Sequence, residues 1–165
     1  MIYNISENDV VTLEKLISKT KKFPNKRSVE LTDSQEHIYE HRDTTLPNIE
    51  IEYYSTKNEV LNQAFSEILG VKNETPLTIH TFKYHVGAYS KKHRDTNSYN
   101  TFVIILEDDF KGGDFYLNDK LTKFGKRGDV ANYIGHEERH SVTPITEGIR
   151  TVLVVWYPPL RQSFI

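Results

Sequence analysis

The sequence predicts a mainly β chain of the α+β class, with N-terminal helices packed on one sheet of a β-sandwich or jelly roll. Three observations predict it. Apolar residues recur with helical spacing in the first 70 residues and with period two from Leu77 onward. Eight short apolar runs in the second half are separated by closely spaced turn signals. The 165 residues show no linker, internal repeat or low-complexity tract. They read as one domain, 1–165, able to bury roughly 70% of its extended surface. Within it, residues 1–75 read as helical support and 76–158 as the β core.

The elements follow in order. Asn8 or Asp9 is placed to cap a helix carrying Val10, Val11, Leu13, Leu16 and Ile17. The basic stretch 19–27, KTKKFPNKR, contains Pro24 and reads as a solvated loop, with a local patch for an acidic partner as its functional alternative. Thr56 with Glu59 makes a capping box for a second helix. Val60, Leu61, Ala64, Phe65, Ile68 and Leu69 form its apolar stripe, and Gly70 ends it. Strands are expected over 77–84, 89–93, 100–106, 114–118, 121–124, 129–134, 140–143 and 149–157. Turns are marked by Val86-Gly87, Lys111-Gly112-Gly113, Arg127-Gly128-Asp129 and the stretch from Pro144 to Gly148.

Composition excludes several classes. The net charge of −2 argues against a nucleic-acid partner for the molecule as a whole. No run approaches the 18 or so apolar residues of a membrane helix. The polar, acidic N-terminus is unlike a secretory signal, so a cytoplasmic location without membrane contact is expected. With no Cys, disulfides and thiolate metal sites are excluded.

The chemistry concentrates in His93, Asp95, His140 and Arg150. Two imidazoles and one carboxylate hold a ferrous ion on one face and leave three positions for substrate and oxygen. The last strand carries Arg150, Val152, Val154 and Trp156 on one face and Thr151, Leu153, Val155 and Tyr157 on the other. Both faces are largely apolar, so the strand is expected to be central and covered on both sides. Arg150 then points inward, where an unpaired charge costs several kcal/mol. Its partner is either a protein carboxylate or the distal carboxylate of a bound 2-oxo diacid, which a guanidinium grips in two hydrogen bonds. An antiparallel return through 143–148 would set His140 beside Arg150. His93 and Asp95, two apart at a strand end, share a face.

Three other patterns compete for the same residues. His136-Glu137-Glu138-Arg139-His140 matches the zinc-protease pattern H-E-x-x-H, which needs a helix. Gly135 before it and Val142, Thr143 and Pro144 after it oppose one. His93-Arg94-Asp95 with Asn100 matches a kinase catalytic loop, but no Gly-rich loop or D-F-G accompanies it. His41-Arg42-Asp43 repeats His-x-Asp, with His85 and Arg94 downstream, but Arg94 lies outside any apolar strand. His37, His41 and Asp43 read instead as a polar surface segment.

With these residues in view, the chain resembles the iron(II)- and 2-oxoglutarate-dependent dioxygenases, and within them the prolyl hydroxylase branch, including its oxygen-sensing type. The likeness covers about residues 77–158. It rests on YHVGAYSKKHRD from Tyr84 to Asp95, Gly112-Gly113, Lys126-Arg127-Gly128-Asp129 and HSVTPITEGIRTVLVVWY from His140 to Tyr157. The resemblance implies a double-stranded β-helix, the jelly-roll form. It implies His93, Asp95 and His140 as iron ligands, Arg150 for the 2-oxoglutarate distal carboxylate, and Tyr84 as a second contact to that carboxylate. Trp156 and Tyr89 match aromatic residues lining a target-proline pocket. The chain also departs from the pattern. Collagen-type members carry Lys at the place of Arg150. Ile105 stands where oxygen-sensing members have a Tyr facing the co-substrate, and Val154 replaces a Thr near the carboxylate. An Arg expected in the loop 96–100 has no counterpart.

The function so implied is hydroxylation of prolyl residues in a protein or peptide. Oxygen and 2-oxoglutarate would be consumed, succinate and carbon dioxide released, and ascorbate would support the reaction. Asp95 favours hydroxylation, because related halogenases have a small residue there to admit chloride. Segments 96–100 and 43–51 are candidate substrate loops. The alternatives are the same mechanism on alkylated nucleic acid or a small metabolite, a jelly roll that binds without turnover, and the zinc protease.

Overall fold

A computed structural model describes residues 1–23, 48–72, 74–95 and 99–158. Among them run β1 (Ile2–Asn4), α1 (Glu7–Ser18), β2 (Lys22–Phe23), β3 (Ile49–Tyr54), α2 (Glu59–Leu69), β4 (Thr78–Tyr84), β5 (Ser90–His93), β6 (Asn100–Glu107) and β7 (Phe110–Gly112). The chain continues through β8 (Phe115–Leu117), β9 (Lys120–Leu121), β10 (Asp129–Ile134), β11 (His140–Val142), β12 (Ile145–Gly148) and β13 (Arg150–Tyr157). A seven-stranded major sheet has the order β1-β10-β6-β13-β4-β3-β2. A four-stranded minor sheet has the order β5-β11-β8-β9, and β12 pairs with β7. Neighbouring strands are antiparallel. The fold is a jelly roll with both helices packed on one sheet.

Two apolar layers explain this arrangement. On one face of the major sheet, Val10, Leu13 and Ile17 of α1 and Leu61, Ala64, Phe65 and Leu69 of α2 pack with Ile79, Ile104, Val130, Leu153 and Val155. On the other, Phe82, Val103, Ile105, Ala131, Val152 and Val154 meet Phe115, Val142 and Ile145 from the opposing strands. β13 lies between β6 and β4, and every residue from Arg150 to Tyr157 is buried. The expected central, doubly covered strand is present.

Several details differ from the sequence reading. α1 begins one turn earlier, because the Ser6 side chain accepts from the Asp9 backbone N–H. α2 is capped by Asn58, which accepts from Leu61, while the Thr56 carbonyl accepts from the Asn62 side chain. Gly70 closes α2 at φ 73°, as expected of a glycine stop. The strand expected over 121–124 shrinks to β9, since a hairpin with positive φ at Asn118 and Asp119 returns it along β8. Phe124 turns inward against Phe115 instead. Residues 1–75 supply strands as well as helices: β1, β2 and β3 extend the major sheet at both ends. In β3 the alternation is regular, with Ile49 and Ile51 against the inner layer and Glu50 and Glu52 opposite.

No helix among the described residues is long and apolar enough to cross a membrane. His37, His41, Asp43 and residues 24–27 of the basic stretch lie outside the described residues, as do 96–98 of the first candidate substrate loop and 43–47 of the second.

Candidate active site

His140 opens β11 and pairs in register with His93, the last residue of β5. Antiparallel pairing puts their rings on one face of the minor sheet, with centroids 4.3 Å apart. Asp95 follows two residues later and reaches back between them, its Oδ1 lying 3.5 Å from Nε2 of each histidine. One ligand atom from each residue falls within 4.8 Å of the others. His140 is buried, whereas His93 and Asp95 are half-buried.

Both imidazoles are oriented by the same device. His93 Nδ1 donates to the Lys91 carbonyl at 2.5 Å, and His140 Nδ1 donates to the Glu138 carbonyl at 2.8 Å. A carbonyl oxygen only accepts, so a hydrogen belongs on Nδ1, and each Nε2 faces Asp95. His140 Nε2 is buried with no hydrogen-bond partner among the described residues.

Arg150 begins β13 and is 2% exposed. Its guanidinium carbon sits 5.0 Å from the ring of Tyr84, its cross-strand neighbour, and 5.7 Å from that of Phe124. Among the described residues no carboxylate pairs with it, and its buried Nε has no hydrogen-bond partner. Burial lowers its pKa from the usual guanidinium range, and the neighbouring phenols of Tyr84 and Tyr133 oppose that shift. The group remains a cation at neutral pH.

His140 and Arg150 line one cavity, together with Tyr84, Tyr133, Phe115 and Ser90. Trp156 walls another part of it, 2% exposed and set edge-on to His80 at 5.1 Å. Tyr89 is half-buried ahead of β5 and is not among the lining residues. Ile105 and Val154 face the same apolar layer.

Sequence reasoning missed Tyr133, which tilts against His140 at 4.6 Å between the ring centroids, and Phe124. The period-two pattern of β10 put Tyr133 on the same face as Ala131, so its direction was available but its neighbours were not. The H-E-x-x-H pattern is a turn rather than a helix, with His136 exposed. The rival His85 bonds Glu50 across β3 and β4.

No family model matches the sequence, and no curated protein does. Solved structures do match the fold. A prolyl hydroxylase from Trichoplax adhaerens, in complex with a hypoxia inducible factor oxygen degradation domain peptide fragment, aligns with a TM-score of 0.63 at 13% identity, over 95% of this chain and 82% of that one. An oxidoreductase of the 2OG-Fe(II) oxygenase family from Burkholderia pseudomallei gives 0.57 at 13% identity, over 92% and 78%. A Pseudomonas putida prolyl-4-hydroxylase gives 0.55 at 16% identity, over 96% and 91%. The chain has the 2OG-Fe(II) oxygenase fold. Within that fold, its own residues suit a divalent cation. Two oriented Nε2 atoms and a carboxylate oxygen converge, and one of those nitrogens, that of His140, is buried with no hydrogen-bond partner among the described residues.

Proposed function

We propose that the chain is a single-domain iron(II)- and 2-oxoglutarate-dependent dioxygenase that hydroxylates prolyl residues of a protein or peptide. One observation carries the co-substrate: a buried guanidinium with no ion-pair partner among the described residues lines the same cavity as His140, one member of the two-histidine, one-carboxylate cluster. A dianion that chelates a metal at one end and carries a carboxylate at the other satisfies both at once.

His93, Asp95 and His140 would hold iron(II), which when bound supplies oxygen activation coupled to oxidative decarboxylation of the 2-oxo acid. The protein's own share is orientation and exclusion of water. The Lys91 and Glu138 carbonyls hold both histidines in the tautomer that presents Nε2. Arg150 fixes the distal carboxylate, with Tyr84 beside it. Phe115, Val103, Val152 and Val154 keep the cavity wall apolar, so charges inside interact strongly. Trp156 offers a flat apolar wall suited to a pyrrolidine ring, and prolyl hydroxylases among the fold neighbours support that substrate. Tyr89 is assigned to the same pocket from the sequence resemblance alone.

The test is succinate release from labelled 2-oxoglutarate with iron(II) and ascorbate. His93→Ala and Asp95→Ala should abolish it, whereas His136→Ala should leave it nearly intact. Total loss in the last variant would favour the protease. A proline-containing peptide from a library should gain one oxygen atom by mass spectrometry. Products formed only on other residues, or on alkylated nucleic acid, would retain the oxygenase and discard the prolyl substrate.

A further inference from the structure

We propose that the turn 135–138 positions a divalent cation's ligands: Gly135 makes room for the Asp95 carboxylate, and Glu138 fixes the His140 imidazole. This rests on the metal centre proposed above and assigns a task to a segment that otherwise looks like a failed protease motif.

Gly135 is buried, and its backbone does not require glycine, since it is not among the residues with positive φ. The requirement is steric. A Cβ there would lie 2.2 Å from Asp95 Oδ2, 2.9 Å from its Cγ and 3.0 Å from its Cβ. Those are the nearest atoms, and all belong to one side chain. A methyl group would therefore displace the Asp95 side chain from the position in which its Oδ1 faces both histidines. The same residue also ties down the Asp95 main chain: Asp95 N–H donates to the Gly135 carbonyl at 2.8 Å, and Gly135 N–H donates to the Tyr99 carbonyl at 3.1 Å.

Glu138 acts on the other side. Its Oε2 accepts from the Ile134 N–H at 2.8 Å, and its Oε1 accepts from the Asn118 side chain at 3.1 Å. The carboxylate thereby joins the end of β10 to the β8–β9 hairpin. The Glu138 carbonyl, held by that brace, receives the His140 Nδ1 hydrogen. His136 and Glu137, between these two residues, are exposed and serve as internal controls.

The experiment titrates Mn(II) into the metal-free full chain, reading free Mn(II) by electron paramagnetic resonance, and records thermal unfolding of the same samples. Gly135→Ala and Glu138→Ala should each weaken Mn(II) binding by about 10- to 100-fold, the usual effect of removing a ligand's support. Gly135→Ala should unfold close to the wild-type temperature. Glu138→Gln, which keeps one acceptor, should recover part of the loss. His136→Ala and Glu137→Gln should bind like wild type. If wild type binds Mn(II) and both turn variants match it, the assignment to the turn is overturned while the metal centre stands. If affinity falls only in step with the unfolding temperature, the turn is merely structural and the assignment is again overturned. A wild-type chain that binds no Mn(II) overturns the metal centre itself.

Discussion

In its proposed role, Arg150 would work against stability and for binding. A buried cation without an anion is costly, and apolar side chains of similar volume often replace such groups at no loss. Arg150→Met should leave the unfolding free energy of the ligand-free chain unchanged or raised, by up to about 4 kcal/mol. The same variant should weaken 2-oxoglutarate binding by at least roughly 100-fold, about 2.7 kcal/mol. Denaturant titration and calorimetry on Mn(II)-loaded protein measure the two effects. Unchanged co-substrate affinity would remove Arg150 from the site. Arg150 was legible in the sequence because strand parity is local: a charge alternating with Val152, Val154 and Trp156 must share their face. His93, Asp95 and His140 were legible for the same reason, two flanking residues and one strand start. Gly135 was not, because its task is set by a side chain 40 positions away that only the folded chain brings against it.

At the scale of elements, α1 is fastened to the sheet by Arg127. Its Nε donates to Glu7, its Nη2 to Glu14 at 2.6 Å and its Nη1 to the Leu106 carbonyl at 2.6 Å. The hydrogen bond from Arg127 holds the Glu7 carboxyl below its ordinary pKa against the opposing effect of desolvation, and the guanidinium charge adds a lesser lowering. A carboxyl with a lowered folded-state pKa stabilises the fold above its unfolded-state value and loses that contribution as pH falls through the folded-state value. The contribution is therefore complete at neutral pH and fades below about pH 4.3, the ordinary glutamate value. Denaturation midpoints taken across that range should fall on acidification, and Arg127→Leu should flatten that part of the profile. An equally steep profile in the variant would assign the acid dependence elsewhere. The caps show where sequence patterns ran out. Ser6 rather than Asn8 or Asp9 starts α1, and Asn58 rather than Thr56 starts α2. Several capping residues stood within one turn in each case, and propensity alone does not choose among them. β3 is a different omission. IEIEYY alternates plainly, but its neighbour β4 lies beyond a helix, so the partner that makes it a strand was not adjacent in sequence.

For the molecule as a whole, the jelly roll was predictable from period and turn spacing, whereas the layering of β1 and β10 beyond β6 depended on long-range pairing. Ligands that bind only the folded chain stabilise it by mass action. Metal with 2-oxoglutarate at 100 times its dissociation constant should add about 2.7 kcal/mol. For a chain of this size that raises Tm by roughly 5–10 °C. Succinate alone should raise it less, since it lacks the chelating keto group; an equal rise would mean that the metal end contributes nothing. The lone guanidinium then acquires a consequence outside catalysis. Digestion by a protease follows the fraction of molecules that have opened, when opening and closing are fast relative to cleavage. On the proposed function, a diacid that neutralised Arg150 would lower that fraction, so co-substrate would lengthen the survival of each copy of the chain against a protease.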